Sequence, residues 1–373
     1  MLVSSITLYD FRNYERLALT LSPGINIFLG ENAQGKTNIL ESICYASLGQ
    51  SHRTHVDQDL IRIGAEAGSI ELAFSRFAAQ NRLAFAFSRS KRRRILLNGQ
   101  PIRTKDLIGN INTVLFSPED LFLVKGAPAQ RRHFLDGEIS QASPAYYHEL
   151  SIYTRLVRQR NTLLKRIRER SASPSSLDSW DPQLAQSAAK IACKREEATK
   201  RLHMLANLMQ RRISGSRENL SLSYEIAGSE EHPLPTEKVT NALVSWYNER
   251  LRDRRPVDIL RGSTTLGPHH DDLLLEVNGV NLRAFGSQGQ QRTAVLSLKL
   301  AELEFLRAET GEYPVLLLDD VMSELDESRR AALLAFLRRE KIQTVITATE
   351  AAYFPKGDFG AYYRVQNGMV TAL

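Results

Sequence analysis

Gly30-Glu31-Asn32-Ala33-Gln34-Gly35-Lys36-Thr37 has the spacing of a phosphate-binding loop, and it lies between an apolar run, Ile25 to Leu29, and a helical stretch beginning near Asn38. That order constrains the chain to a strand–loop–helix unit in which backbone N–H groups and a helix N-terminus converge on one anion. The glycines remove the Cβ atoms that would keep the backbone from curling around phosphates. The pattern implies a nucleoside triphosphate site at residues 30–37, with Lys36 at the β- and γ-phosphates and the Thr37 hydroxyl on Mg²⁺.

Two further elements stand near the other end. Val315-Leu316-Leu317-Leu318-Asp319-Asp320 reads as a buried strand that delivers carboxylates to the metal beside the phosphates. Asp319 is expected to hold Mg²⁺ and Asp320 to orient the attacking water. Gly286-Ser287-Gln288-Gly289-Gln290-Gln291-Arg292 precedes a long helix, at about 292 to 309, and offers an anion a hydroxyl, backbone amides and a helix N-terminus. A second phosphate-reading surface on one chain suggests that it serves another chain's nucleotide.

These elements in this order resemble the ABC-type ATPases, whose signature is a variant of Leu-Ser-Gly-Gly-Gln, here Gly286 to Gln290. Ser323-Glu324-Leu325-Asp326 follows at the spacing of that family's D-loop. Phe11-Arg12-Asn13-Tyr14, Ser117-Pro118-Glu119-Asp120-Leu121, Arg131-Arg132 with Phe134-Leu135-Asp136, Gly267-Pro268-His269 with Asp271-Asp272, and Leu318 to Asp326 narrow the resemblance to the RecF family, bacterial recombination-mediator ATPases. It runs from about residue 3 to about 350.

The resemblance implies an α/β fold: an ABC-type lobe with a P-loop mixed sheet and an antiparallel β subdomain, plus an inserted, mainly helical arm. It implies that two chains sandwich two ATP molecules, each held by Lys36, Thr37 and Arg12 of one and capped by Ser287, Gly289 and Gln290 of the other. The homodimer would close on duplex DNA at gaps or junctions, open on hydrolysis, and cooperate with RecR and RecO in loading RecA. Departures from the wider ABC pattern temper the chemistry. Asp320 replaces the usual Glu, and no clear Q-loop glutamine precedes the arm, the nearest candidates being Ser117 and Glu119. Where transporters place a His, the last core strand ends Thr347-Ala348-Thr349-Glu350; the Thr349 hydroxyl can donate a hydrogen bond but carries no charge. Weak ATPase activity is the expectation. His269-His270-Asp271-Asp272 is a poor metal site, because adjacent ligands rarely converge on one ion.

Charge placement points to a polyanion. The net charge is +7, yet residues 145–215 carry fourteen Lys/Arg against six Asp/Glu, and residues 89–105 carry seven Lys/Arg with no acid. Clustered cations release counterions when they meet phosphates, so DNA contacts are expected from Arg92, Arg93 and Arg94, and from Arg158, Lys165 and Arg168. Two scattered cysteines give neither a disulfide framework nor a zinc site, and no apolar run approaches the ~18 residues of a membrane span. A cytoplasmic protein without membrane attachment is expected.

Residues 1–115 and 264–373 read as one discontinuous ATPase lobe, because neither part alone holds both P-loop and acids. Hairpin turns are predicted at Asn98-Gly99 and Asn278-Gly279. Residues 116–263 read as the arm, with amphipathic helices through Leu150–Ile167 and Ile191–Met209, a break at Ser171–Ser176, and a seam interrupted by Arg160 and Arg195. The alternative of a transport ATPase subunit shares the P-loop and signature, but the Arg-rich insertion argues against it. A P-loop kinase would need no signature, and a vestigial site would not retain all of Lys36, Thr37, Asp319 and Asp320.

Overall fold

Alternating burial along the first hairpin, β1 (Leu2–Phe11) and β2 (Tyr14–Thr20), sets one apolar face inward. The computed structural model describes residues 1–229, 240–355, 357 and 359–373. β3 (Ile25–Leu29) leads through the P-loop into the helix Lys36–Leu48. β4 (Ala67–Arg76), β5 (Ala79–Ser88), β6 (Arg94–Leu97) and β7 (Gln100–Pro101) extend the hairpin into an antiparallel sheet of order β2-β1-β4-β5-β6-β7. The Asn98-Gly99 turn joins β6 to β7 with φ of 50° and 79°, as a type I′ turn requires.

β8 (Thr113–Phe116) ends this first stretch. In the middle of the chain lie the helices Pro128–Ala142, Pro144–Arg168, Asp181–Ile213, Thr240–Asp253 and Arg255–Arg261, and a small sheet of β9 (Leu220–Glu225), β10 (Asp272–Val277) and β11 (Val280–Asn281). The helix Gln288–Thr310 follows, then β12 (Val315–Asp319), β13 (Thr344–Ala348), β14 (Ala361–Gln366) and β15 (Met369–Ala372). β8, β12, β13, β3 and β14 are all parallel, and β15 adds an antiparallel edge, in the order β15-β14-β3-β13-β12-β8. β12 and β13 are buried at every residue, as parallel strands covered on both faces are.

The chain divides into two compact units, residues 1–121 with 212–216 and 292–373, and residues 122–211 with 217–291. The return to the first unit falls at 292 rather than at the expected 264. The reason is pairing: β10 lies against β9 from Asp272–Glu225 to Val277–Leu220, which keeps the Asn278-Gly279 hairpin in the second unit. The middle segment is therefore helical with a three-stranded sheet.

In the first unit the helix Lys36–Leu48 is packed on both sides. Tyr45 meets Phe85 and Phe87 of β5 edge-on at 5.1 and 5.3 Å, and Ser47 shares a hydrogen bond with Thr113 of β8. Gln343, buried at the start of β13, accepts the N–H of Val3 and donates to the carbonyls of Val3 and Ser22, tying the antiparallel sheet to the parallel one.

In the second unit the two arm helices are Pro144–Arg168 and Asp181–Ile213, broken by the short turn Pro174–Ser179. The arginines in their seam are interior anchors. Arg160 donates to Asp181 and Asp258 at 2.9 and 2.6 Å, and Arg195 donates to both oxygens of Asp136 and to the Pro268 carbonyl. Two members of the basic zone are thus buried and paired, and the solvated charge of this segment is smaller than its composition implies.

Candidate nucleotide-binding site

Three parallel strands set the site. β3 hands the chain to the P-loop, β12 ends in Asp319, and β13 lies between them, so all three carboxyl ends open onto one crevice. The backbone of Gly35 is left-handed at φ 110°, and a Cβ there would stand 2.5 Å from the Asn13 amide. Gly30 is needed for a different reason than phosphate access: a Cβ would fall 2.3 Å from the Val365 carbonyl of β14.

Lys36 Nζ donates to the carbonyls of Gly30 and Glu31 at 2.6 and 2.8 Å, which points the ammonium along the mouth of the loop. Burial pushes its pKa below the ordinary lysine value, against the pull of Asp320 and Asp319. Thr37 Oγ1 donates to Asp319 Oδ1 at 2.9 Å, and Thr347 Oγ1 donates to the same oxygen at 2.8 Å. The next residue, Asp320, has φ 53°, a strained conformation for a non-glycine, and its N–H is fixed by Thr347 Oγ1 at 2.9 Å. Its Oδ1 is buried without a partner among the described residues. Burial, reinforced by Asp319 and opposed by Lys36, holds the Asp320 carboxyl above the ordinary range.

The donor set suits Mg²⁺. A hydroxyl and a carboxylate oxygen 2.9 Å apart are the hard oxygen ligands that ion takes beside phosphates, and the orphaned carboxylate oxygen of the next residue is left for a water. Thr349, expected to contact the γ-phosphate, lies past the end of β13 with no hydrogen bond to either acid. The hydroxyl that touches both is Thr347, which sits opposite Asp319 in the β12–β13 register.

Arg12, expected at the nucleotide, is also tied within the chain. Its Nε and Nη2 donate to the two oxygens of Glu41 at 2.9 and 2.6 Å and its Nη1 to the Asp59 carbonyl. Glu41 lies fully buried on the P-loop helix. Burial alone would raise its carboxyl, but hydrogen bonds from Arg12 and Ser51 and the charges of Arg12 and Arg53 outweigh it and hold the group below the ordinary value. No motif signalled Glu41; its one sequence cue is that it is the single carboxylate of the helix Lys36–Leu48.

The signature begins its helix earlier than expected, at Gln288. Ser287 Oγ accepts the Gln290 N–H at 3.2 Å, and Gln290 Oε1 accepts the Ser287 N–H at 3.0 Å, a reciprocal cap that leaves the serine hydroxyl proton free for an anion. Ser287 and Gln288 are exposed, and the motif belongs to the second unit. In the first unit, Arg292 holds the D-loop residue Glu324 at 2.8 Å, and Ser117 donates its N–H to Asp120, leaving Glu119 exposed.

The profile of the RecF/RecN/SMC N-terminal domain family matches residues 2–371. The DNA replication and repair protein RecF of Alkaliphilus oremlandii is 42% identical over 354 residues, covering 94% of this chain and 93% of that protein. Its namesake in Geobacillus kaustophilus is 42% identical over 378 residues, all of both chains. The chain belongs to the RecF family. A solved structure of the recombination mediator protein RecF-ATPrS in the RecFOR pathway superposes with a TM-score of 0.91 at 34% identity, over 100% of this chain and 98% of that one. An SMC head bound to the C-winged helix domain of ScpA, at 13% identity and TM-score 0.59, shares the fold.

The RecF motifs of the second unit are structural joints. Arg131 pairs with both oxygens of Asp272 at 2.7 and 2.8 Å, and Asp271 accepts from Tyr224 and from the Ala227 N–H at 2.8 Å. His269 shares a 2.5 Å hydrogen bond with Tyr153, and its other ring nitrogen meets the Thr264 carbonyl at 3.1 Å, so both nitrogens are occupied. Among the DNA candidates of this chain, Arg92 and Arg94 are exposed, whereas Arg93 turns inward to Asp57, the Gly49 carbonyl and Thr104. Arg158, Lys165 and Arg168 are exposed, and none is in an ion pair among the described residues. By contrast Lys190, Lys194, Lys200 and Arg201 on the facing arm helix pair with Glu149, Glu197, Glu196 and Glu197. Among the described residues, no helix is long and apolar enough to cross a membrane.

Proposed function

We propose that this chain is an ATP-driven DNA clamp of recombinational repair and replication, with weak ATPase activity. The observation that carries the reading is the convergence of Lys36, Thr37, Asp319 and Asp320, with its unpartnered Oδ1, at the carboxyl ends of β3 and β12. Lys36 and the P-loop amides bind the β- and γ-phosphates, and Mg²⁺, when held by Thr37 and Asp319, neutralises their oxygens. Asp320 orients a water for attack on the γ-phosphorus. The bond to the bridging oxygen breaks, ADP and phosphate are released, and the water's proton passes to the Asp320 carboxylate, one of whose oxygens has no partner among the described residues.

Ser287 is exposed at the start of the helix Gln288–Thr310, with its hydroxyl oxygen taken by the Gln290 N–H and its proton left for an acceptor, which supports Ser287 and Gly289 capping the triphosphate of a second copy. ATP is then the bond between the two chains, and loss of the γ-phosphate releases them. The unpaired cations Arg92, Arg94, Arg158, Lys165 and Arg168 supply contacts to DNA backbone at gaps or junctions. RecR and RecO are the partners this role implies, toward loading RecA, as in the RecFOR pathway for which the similar solved structure is described.

Lys36→Ala and Asp320→Asn test the site. The first should abolish triphosphate binding. The second should keep binding and slow single-turnover hydrolysis by about two orders of magnitude, the scale of losing a water-positioning base. Equal loss of binding in both would make Asp320 a ligand of the metal or a structural group and refute its hydrolytic role.

A further inference from the structure

The two ends of the first unit meet at the P-loop. The β1–β2 turn brings Asn13 over the loop, where its Nδ2 donates to the Gln34 carbonyl at 3.1 Å and its Oδ1 accepts from Asn38 Nδ2 at 2.7 Å. One amide thus spans the loop from its last turn to the first turn of the helix that follows. The adjacent Tyr14 is fully buried, and its hydroxyl donates to the Gly35 carbonyl at 3.1 Å, an oxygen that also accepts the Asn38 N–H. From the other end, the β14–β15 turn donates the Asn367 N–H to Gln34 Oε1 at 2.7 Å. Gly368, at φ 72°, lies so close that a Cβ would stand 3.1 Å from the Asn13 carbonyl.

An isolated run of loop residues has no reason to keep several N–H groups aimed inward, because they repel one another and water satisfies them equally well. Bonds to the loop's outward carbonyls hold the peptide planes in that orientation before any anion arrives. Asn13 and Tyr14 take the carbonyls of Gln34 and Gly35, which turns the opposite edges of those peptide units toward the phosphates.

We propose that Asn13 and Tyr14 are positioning residues of triphosphate binding, which pre-form the P-loop from the β1–β2 turn, with the β14–β15 turn holding Gln34 from the other side. This rests on the nucleotide reading of the site and adds residues outside the phosphate motif. A positioning role makes a specific demand: the backbone cradle serves every nucleotide that uses it, so ATP and ADP must weaken together, and chemistry at saturation must be untouched.

The test is binding of fluorescent ATP and ADP analogues to the full chain, with steady-state hydrolysis and thermal melting alongside, for Asn13→Ala, Tyr14→Phe and Gly368→Ala. Asn13→Ala should weaken both nucleotides about five- to tenfold, the effect of removing one to two hydrogen bonds. It should raise KM by the same factor, leave kcat unchanged and barely move the melting temperature, since Asn13 is exposed. Tyr14→Phe keeps the buried ring and should weaken both nucleotides about threefold to tenfold. Gly368→Ala should act in the same direction by crowding Asn13. A fall in kcat at unchanged KM, a loss confined to ATP, or wild-type affinity in both Asn13→Ala and Tyr14→Phe would overturn the proposal. Lys36→Ala separates the two failures: if the wild-type chain binds no better than Lys36→Ala, it is the nucleotide reading that falls, whereas a clear difference there beside unaffected Asn13 and Tyr14 variants removes this inference alone.

Discussion

Lys36 in the first unit and Arg195 in the second are both buried cations beside acidic groups, yet their surroundings differ in what they leave undone. Arg195 places all three side-chain nitrogens on partners of its own unit, Asp136, Tyr224 and the Pro268 carbonyl. Around Lys36, burial pulls against the charge, the neighbouring Asp320 has a strained backbone and an unpartnered oxygen, and the lysine's bonds go to loop carbonyls alone. The same residue types mean opposite things. A closed network stabilises the chain by itself, whereas an open one is completed by something that binds.

The contrast can be broken most forcefully by removing the two cations in turn. Arg195→Ala leaves Asp136 facing an empty cavity and should destabilise the second unit by about 3–5 kcal/mol, the cost of stranding one partner of a buried pair. Lys36→Ala should leave the melting temperature within a degree or two of wild type and abolish the stabilisation that added ATP gives. Calorimetry with and without ATP reads both, and a large loss of stability in Lys36→Ala without nucleotide would erase the distinction.

A second comparison separates cations of one basic cluster. Neutralising Arg92 and Arg94 should weaken DNA binding and reduce the log–log salt slope by up to about 0.9 for each phosphate no longer neutralised, with Arg158, Lys165 and Arg168 behaving likewise. Arg93→Ala should lower stability with the slope unchanged, because its donors are already on Asp57, Gly49 and Thr104. Salt titrations that move the slope for Arg93 and not for its neighbours would invert the assignment.

The smallest effect expected concerns Glu41. Its carboxyl is held below the ordinary value in the folded chain, so it contributes stability above that value and loses it as pH falls through the folded one. Glu41→Gln should cost about 2 kcal/mol at neutral pH, and the gap to wild type should close in acid. A gap independent of pH would show that Arg12 and Arg53 contribute through packing rather than charge.

Much of the site was legible because its chemistry is carried by contiguous residues. The P-loop, Asp319-Asp320 and the Asn-Gly turns need only local geometry, which spacing encodes. What the pattern hid is carried by register and long-range closure. Thr347 rather than Thr349 meets the acids because β13 pairs with β12 at Asp319. The division at 292 follows from β9 finding β10 across an intervening helical segment. The Arg12–Glu41 pair could not be read from the sequence, because nothing near either residue shows that Glu41 is buried opposite Arg12. The β4–β5 turn carries Phe77 and Ala78 at positive φ with no glycine, and is stabilised by the Phe77 N–H reaching Glu312, which no local rule predicts.

The central claim, that triphosphate joins two copies through an incomplete site on each, is tested most directly by sedimentation velocity with and without a non-hydrolysable ATP analogue, on the wild-type chain and on Ser287→Arg. The account predicts a mainly monomeric chain that shifts to a dimer with the analogue, and a Ser287→Arg chain that binds the analogue with near wild-type affinity yet stays monomeric. A wild-type chain whose mass does not respond to nucleotide, or a Ser287→Arg chain that loses nucleotide binding as a monomer, would contradict it.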